Sequence, residues 1–187
     1  MNIEELQKLT YGHSLLFEHS YRLLRIHQFA ARSKAACAEL GVWQGGTAKV
    51  IAKSTKFQVN IFDTFEGLPE PDSSIDKLQK GDFGSISFES VKAYLSDCPN
   101  IRIFKGYFPS STTEDIANEK YGFVHLDGDL YSSTMDGLKY FYPKMIDGGV
   151  ILTDDWDYDL CPGVNKAFDD FCIPYIDISY GQCIIIK

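Results

Sequence analysis

Phe123-Val124-His125-Leu126-Asp127-Gly128-Asp129 is a short apolar run that ends in acids, and Gly148-Gly149-Val150-Ile151-Leu152-Thr153-Asp154-Asp155-Trp156-Asp157 is a second. Between them, Ser132 to Tyr142 has a helical pattern. A strand, a helix and a strand in that order make a parallel pair, because the crossover lets the second strand run beside the first. Both acid clusters then sit at the carboxyl ends of neighbouring strands, where open α/β sheets bind their ligands. Carboxylates gathered in one crevice repel one another and resist burial. A divalent cation with oxygen ligands relieves both problems.

The same alternation extends in both directions. Ala35 to Leu40 reads as a buried strand, Gly41 to Gly46 as a turn, and Thr47 to Lys53 as the start of a helix. Gln58 to Phe62 is a second strand, ending at Asp63. Thr64 to about Gly84 is a long loop rich in Gly, Pro and acids, including Asp72, Asp76 and Asp82, and suits either a lid or a solvated segment. Helices are predicted over 87–96, 110–119 and 163–172, and a strand over 101–105. Residues 173–179 and 182–187 read as a closing hairpin around Tyr180-Gly181. Residues 2–33 carry Leu and Ile at helical spacing with a break near Tyr11-Gly12-His13. They predict one or two helices covering one side of the sheet or a substrate opening. The fold class is α/β: a doubly wound, mainly parallel seven-stranded sheet with a C-terminal antiparallel hairpin and N-terminal helices. The chain, 1–187, reads as one domain, with helices over 1–33 and a core over 35–187.

Composition narrows the partners. A chain of 187 residues with 44% hydrophobic content can bury one sizeable core. The formal net charge is −8, with no run of Lys or Arg, which argues against nucleic acid and against anionic membrane surfaces. No apolar run approaches a membrane span, so no membrane insertion is expected. No charged and apolar leader follows Met1, and the five Cys are scattered without a C-x-x-C pair. Reduced thiols in a cytoplasmic protein are expected.

Glu39-Leu40-Gly41-Val42-Trp43-Gln44-Gly45-Gly46 joins the first strand to its helix. Glycine permits close approach of a ligand to backbone, and the helix start offers free N–H groups. The spacing is neither the dinucleotide G-x-G-x-x-G pattern nor a phosphate loop ending in G-K-[ST]. Asp63, at the end of the second strand, can accept hydrogen bonds from both hydroxyls of a ribose. Glu39 can accept from an ammonium group. Both acids also suit plain solvation of strand ends.

Glu39-Leu40-Gly41-x-x-x-Gly45 with Asp63 resembles the cofactor site of class I S-adenosylmethionine-dependent methyltransferases. Gly41 to Gly46, Asp63-Thr64-Phe65-Glu66-Gly67-Leu68-Pro69, Leu126-Asp127-Gly128-Asp129-Leu130-Tyr131-Ser132-Ser133-Thr134 and Gly148 to Asp155 together resemble the macrocin O-methyltransferase family, over about residues 35–172. That family is similar in its metal site to catechol O-methyltransferase. The resemblance implies S-adenosylmethionine and Mg²⁺, or another divalent cation, as cofactors. It places Asp127, Asp154 and Asp155 on metal-ligand positions. It places Glu39, Gly41, Val42, Gly45, Asp63, Gly106, Phe108 and Asp127 about the methyl donor, with Gly106-Tyr107-Phe108 near the adenine. The catechol enzyme has a catalytic Lys three residues after its first metal ligand; Leu130 stands there in this chain. The chain is shorter at both ends than typical members of the family, whose ends help close the substrate pocket.

The implied reaction is methylation of a hydroxyl, on a sugar of a natural product or glycan. A bound cation lowers the hydroxyl pKa and holds it in line with the methyl group. Proton removal falls to Asp127, or to Asp129 or Asp157 beside it. Asp129 also suits capping the helix that follows, and Asp157 solvating a loop. His125, inside a predicted strand, fits a buried, hydrogen-bonded histidine better than a ligand. His13 can face the site, Trp43 and Trp156 can line the cleft or pack the core, and the N-terminal helices can form a homodimer contact. The alternatives are a nicotinamide oxidoreductase, which the missing G-x-G-x-x-G opposes, and a non-catalytic binding module, which the gathered acids oppose.

Overall fold

A computed structural model describes the backbone of residues 1–187 and every side chain except that of Phe17. A seven-stranded sheet runs through the molecule: β1 (Ala36–Leu40), β2 (Val59–Asp63), β3 (Ile101–Lys105), β4 (Tyr121–Leu126), β5 (Met145–Thr153), β6 (Ile176–Asp177) and β7 (Cys183–Ile186). Its spatial order is β3-β2-β1-β4-β5-β7-β6. The first five in that order are parallel, and β7 lies antiparallel to both β5 and β6.

The central strands are continuous apolar runs because both faces are covered. Alternate side chains go to opposite layers. Ile61 and Phe123 face a core shared with Leu6, Leu23, Ile26 and Ile51. Phe62 and Val124 face another, shared with Leu138, Phe141 and Phe168. Phe141 is fully buried, stacked on Phe108 with centroids 5.4 Å apart. Truncating such a ring to Ala costs about 3–5 kcal/mol.

The helices follow their caps and apolar faces. α1 (Ile3–Thr10) starts in a capping box in which Asn2 and Glu5 exchange backbone and side-chain bonds at 2.8 and 2.9 Å. α2 (Ser20–Arg32) buries Leu23, Ile26 and Ala30, one helical face, and lies against α3 (Gly46–Ser54). The predicted break near Tyr11-Gly12-His13 is the turn after α1. α4 (Phe88–Tyr94), α5 (Tyr131–Phe141) and α6 (Pro162–Phe171) complete the set.

Three predicted elements change extent. The helix expected over 110–119 is only a 3-10 turn at Glu114–Ile116. Thr113 donates its hydroxyl to Asp115, a local bond that competes with helix propagation. β5 begins at Met145 rather than Val150, and its pairing with β4 slips between Tyr121 and Phe123. The first hairpin strand shrinks to two residues: Pro174 has no N–H for a ladder on one side, and Ser179, left-handed at φ 66°, ends it on the other.

Candidate active site

The strand ends fall in a row. Leu40 pairs with Phe62 on one side and Leu126 on the other, and Leu126 pairs with Thr153. The ladders continue one residue further. Gly41 N–H donates to Phe62 O at 3.0 Å, Asp127 N–H to Leu40 O at 2.8 Å, and Asp154 N–H to Leu126 O at 3.1 Å. Gly41, Asp63, Asp127 and Asp154 therefore stand side by side at the carboxyl rim. Strand order reverses between β1 and β4, the switch point at which such sheets open a crevice. A cavity of about 1080 Å³ lies there.

One half is built on the glycine turn. A Cβ on Gly41 would sit 1.8 Å from the carbonyl oxygen of Asp127, and φ is +85°, so only glycine fits. Asp63 organises this turn. Its Oδ2 accepts from Val42 N–H at 2.7 Å and Trp43 N–H at 2.9 Å, while Oδ1 accepts from Phe65 N–H at 2.6 Å. A carboxylate has about four acceptor positions, so roughly one is left facing the cavity. Gly41, Val42, Asp63, Gly106 and Phe108 all reach the cavity wall. Gly45 does not border it; in the left-handed region at φ 86°, it starts α3. Glu39 lies one layer beneath, fully buried, with Oε1 on the His125 ring and Oε2 lacking a hydrogen-bond partner.

The other half is acidic. Asp127, Asp129 and Asp155 are on the wall. Asp129 and Asp155 hold left-handed backbone at φ 58° and 60°, a conformation Asp tolerates better than most residues. Asp154 is 1% exposed and lies beneath them. Its Oδ2 is 2.8 Å from His125 Nε2, and its Oδ1 accepts from Arg22 Nε at 2.9 Å. Burial, then the neighbouring Asp155 and Asp154, push the Asp127 carboxyl well above the usual carboxylate range. Burial and Asp155 do the same to Asp129, and burial and Asp154 raise Asp155. For Asp154, burial pushes upward, but bonds from His125 and the charge of Arg22 outweigh it and hold the group low. His125 shows the reverse balance. Burial opposes its charge, yet bonds to Asp154 and Glu39 raise it well above 6.5.

These donors suit a hard cation. Two groups have ligand atoms within 4.8 Å of one another: His125 with Asp127 and Asp154, and Asp129 with Asp155 and Cys161. Both His125 nitrogens are already engaged, and burial raises the Cys161 thiol far above its ordinary value. The oxygens of Asp127, Asp129 and Asp155 remain, hard donors of the kind Mg²⁺ takes, with Asp154 beneath them held by His125 and Arg22.

Several expectations resolve here. His125 is buried and hydrogen-bonded on both nitrogens. Asp129 does not cap α5; Leu130 is the cap residue, and Asp76 of the 64–84 loop accepts from Tyr131 N–H at 2.9 Å instead. Leu130 is fully buried. The loop supplies Gly67, Leu68, Pro69 and Phe83 to the cavity wall. His13 and Trp43 line the cavity, and Trp156 both lines it and packs against Phe168. Asp157 is an exposed rim residue. Sequence reasoning missed Arg22. Its contact with Asp154 spans most of the chain, and no local pattern announces it.

Residues 29–173 match the macrocin-O-methyltransferase (TylF) family. The chain belongs to that family. A curated relative is the 8-demethyl-8-(2,3-dimethoxy-alpha-L-rhamnosyl)-tetracenomycin-C 4'-O-methyltransferase of Streptomyces olivaceus, 30% identical over 142 residues, covering 66% of this chain and 53% of the relative. Another is the demethyldecarbamoylnovobiocin O-methyltransferase of Streptomyces niveus, 27% identical over 150 residues, covering 71% and 56%. The chain thus spans just over half the length of these curated relatives. Among solved structures, the O-methyltransferase NovP superposes with a TM-score of 0.74 at 24% identity over 89% of this chain and 79% of that one. The calicheamicin methyltransferase CalS11 gives 0.75 at 16% identity, over 98% and 90%. At those identities the likeness establishes the fold.

Proposed function

We propose that the protein is an S-adenosylmethionine-dependent O-methyltransferase that uses a divalent cation to methylate a sugar hydroxyl on a natural product. The observation that carries this reading is the joining of the Gly41–Asp63 turn and the Asp127–Asp129–Asp155 cluster around one cavity. Its volume exceeds what one small ligand needs, so donor and acceptor can lie together. The relatives support the acceptor class: one is named for 4'-O-methylation of a rhamnosyl group, and another, from Micromonospora griseorubida, for 3''-O-methylation of mycinamicin III.

When bound, the methyl donor supplies an electrophilic methyl group, and the cation polarises the acceptor hydroxyl. Gly41 lets its turn pack against the Asp127 carbonyl and so shapes the wall on which the donor lies, and the remaining acceptor position of Asp63 meets its ribose. Phe108 flanks its base. Glu39 does not border the cavity; it supports the wall from one layer beneath, through His125. Asp127, Asp154 and Asp155 would hold the cation. A carboxylate bound to a cation is a weak base, so the hydroxyl proton passes to Asp129. That side chain lines the cavity from a left-handed backbone, accepts a weak bond from the Cys161 thiol at 3.7 Å and lies within hydrogen-bond reach of Asp155. Removal of that proton lets an oxygen lone pair form the new bond to the methyl carbon as the carbon–sulfur bond breaks, its electron pair staying on the sulfur of the departing S-adenosylhomocysteine.

Mass spectrometry tests the reading. The protein, with S-adenosylmethionine and Mg²⁺, is incubated with deoxysugar-bearing natural products and with the matching aglycones. One added methyl group on the sugar is expected. Modification of the aglycone alone, or none across the panel, contradicts it.

A further inference from the structure

Arg22 is the one Lys or Arg side chain on the cavity wall among the described residues, and it faces a group of acids. Its Nε donates to Asp154 Oδ1 at 2.9 Å, and Nη2 lies 2.8 Å from the same oxygen. Nη2 is also 3.5 Å from Asp155 Oδ1 and 3.5 Å from Gly181 O. The Arg22 side chain is 13% exposed and that of Asp154 1% exposed, so this is a sequestered ion pair. The residue comes from α2, outside the sheet, and reaches two acids at the end of β5.

We infer that Arg22 is a built-in counter-cation that occupies the carboxylate site and must yield when a divalent ion binds there. This rests on the metal reading proposed above. Asp154 has no free oxygen: Oδ2 is taken by His125 and Oδ1 by Arg22. A Mg²⁺ ion needs oxygens at about 2.0–2.1 Å and near-octahedral order. An ion at that distance from Asp154 Oδ1 would abut a guanidinium on the same oxygen, and two cations so close repel strongly in a poorly solvated site. The guanidinium has somewhere to go. It already touches Gly181 O, and the cavity lies beside it.

The rest of α2 is anchored independently. Arg25 Nη1 donates to Ser179 O at 2.8 Å and to Gln182 Oε1 at 3.3 Å. Tyr21 stacks on Tyr180 with centroids 5.7 Å apart. Arg22 can therefore move as a side chain while its helix stays docked. Arg22 and His125 do not balance Glu39, Asp127, Asp129, Asp154 and Asp155, which leaves a field that still draws a divalent ion.

Isothermal titration with MgCl₂ and MnCl₂ at pH 8 tests this on the full chain, comparing wild type, Arg22→Gln, Arg22→Lys and Arg25→Gln. Removing the competitor should tighten metal binding about tenfold or more in Arg22→Gln. Arg22→Lys keeps the charge without the fork and should fall between; it also serves if Arg22→Gln fails to fold. Arg25→Gln should bind as wild type does. Thermal melting gives a second readout: Mg²⁺ should raise the midpoint more in Arg22→Gln than in wild type. Metal binding by wild type with equal or weaker binding by the Arg22 variants overturns the inference and leaves the metal site standing. Absence of binding in every variant overturns both.

Discussion

His125 Nε2 lies 2.8 Å from Asp154 Oδ2, deep inside the sheet. The other ring nitrogen is 2.9 Å from Glu39 Oε1, so one imidazole separates two buried carboxylates that belong to the two halves of the site. Replacing His125 by Ala should leave both acids uncompensated and cost about 3–5 kcal/mol in urea unfolding. His125→Gln, which keeps a donor, should lose less. The folded-state pKa of His125 is raised, so the stabilising charge is fully present below 6.5 and declines as pH rises through the folded value. The gap between wild type and His125→Gln should narrow in that direction. A gap that widens with pH would contradict the charged imidazole.

Gly41→Ala should be among the most damaging small changes. The added carbon would overlap the Asp127 carbonyl at 1.8 Å, in a backbone region hostile to alanine. A loss of more than about 2 kcal/mol of stability is expected, with collapse of S-adenosylhomocysteine binding. Calorimetric affinity near the wild-type value would show that the turn does not receive the donor.

Asp63→Asn should weaken S-adenosylhomocysteine binding by about 10- to 100-fold. It removes one charged acceptor from a side chain that receives three backbone N–H groups and faces the cavity. Fluorescence titration through Trp43, on the cavity wall, reads this directly. An unchanged affinity would limit Asp63 to holding the loop.

Asp129→Asn should separate binding from chemistry. Donor affinity should stay within a few-fold of wild type, while kcat falls by about 10²- to 10⁴-fold. Loss of binding with kcat intact would remove Asp129 from proton transfer.

The sheet was legible because its strands are apolar runs of strand length, each followed by a turn or an acid. Gly41, Asp63 and Asp127 were legible for the same reason: a strand end points to its crevice whatever the loop beyond it does. The predicted 110–119 helix failed because Thr113 bonds Asp115 locally, a competition that periodicity does not register. The capping role expected of Asp129 fell to Asp76, which only the folded loop brings to α5. Arg22 was illegible for a related reason. One arginine on an amphipathic helix looks solvated until the tertiary fold turns it onto Asp154.

Cation dependence of methyl transfer tests the account most directly. The protein is stripped with EDTA and assayed with labelled S-adenosylmethionine and a glycosylated acceptor, then Mg²⁺ is restored in excess. Transfer should fall by several orders of magnitude on stripping and recover on addition, with donor affinity little changed throughout. Turnover that survives full chelation would mean that Asp127, Asp154 and Asp155 gather for some other purpose.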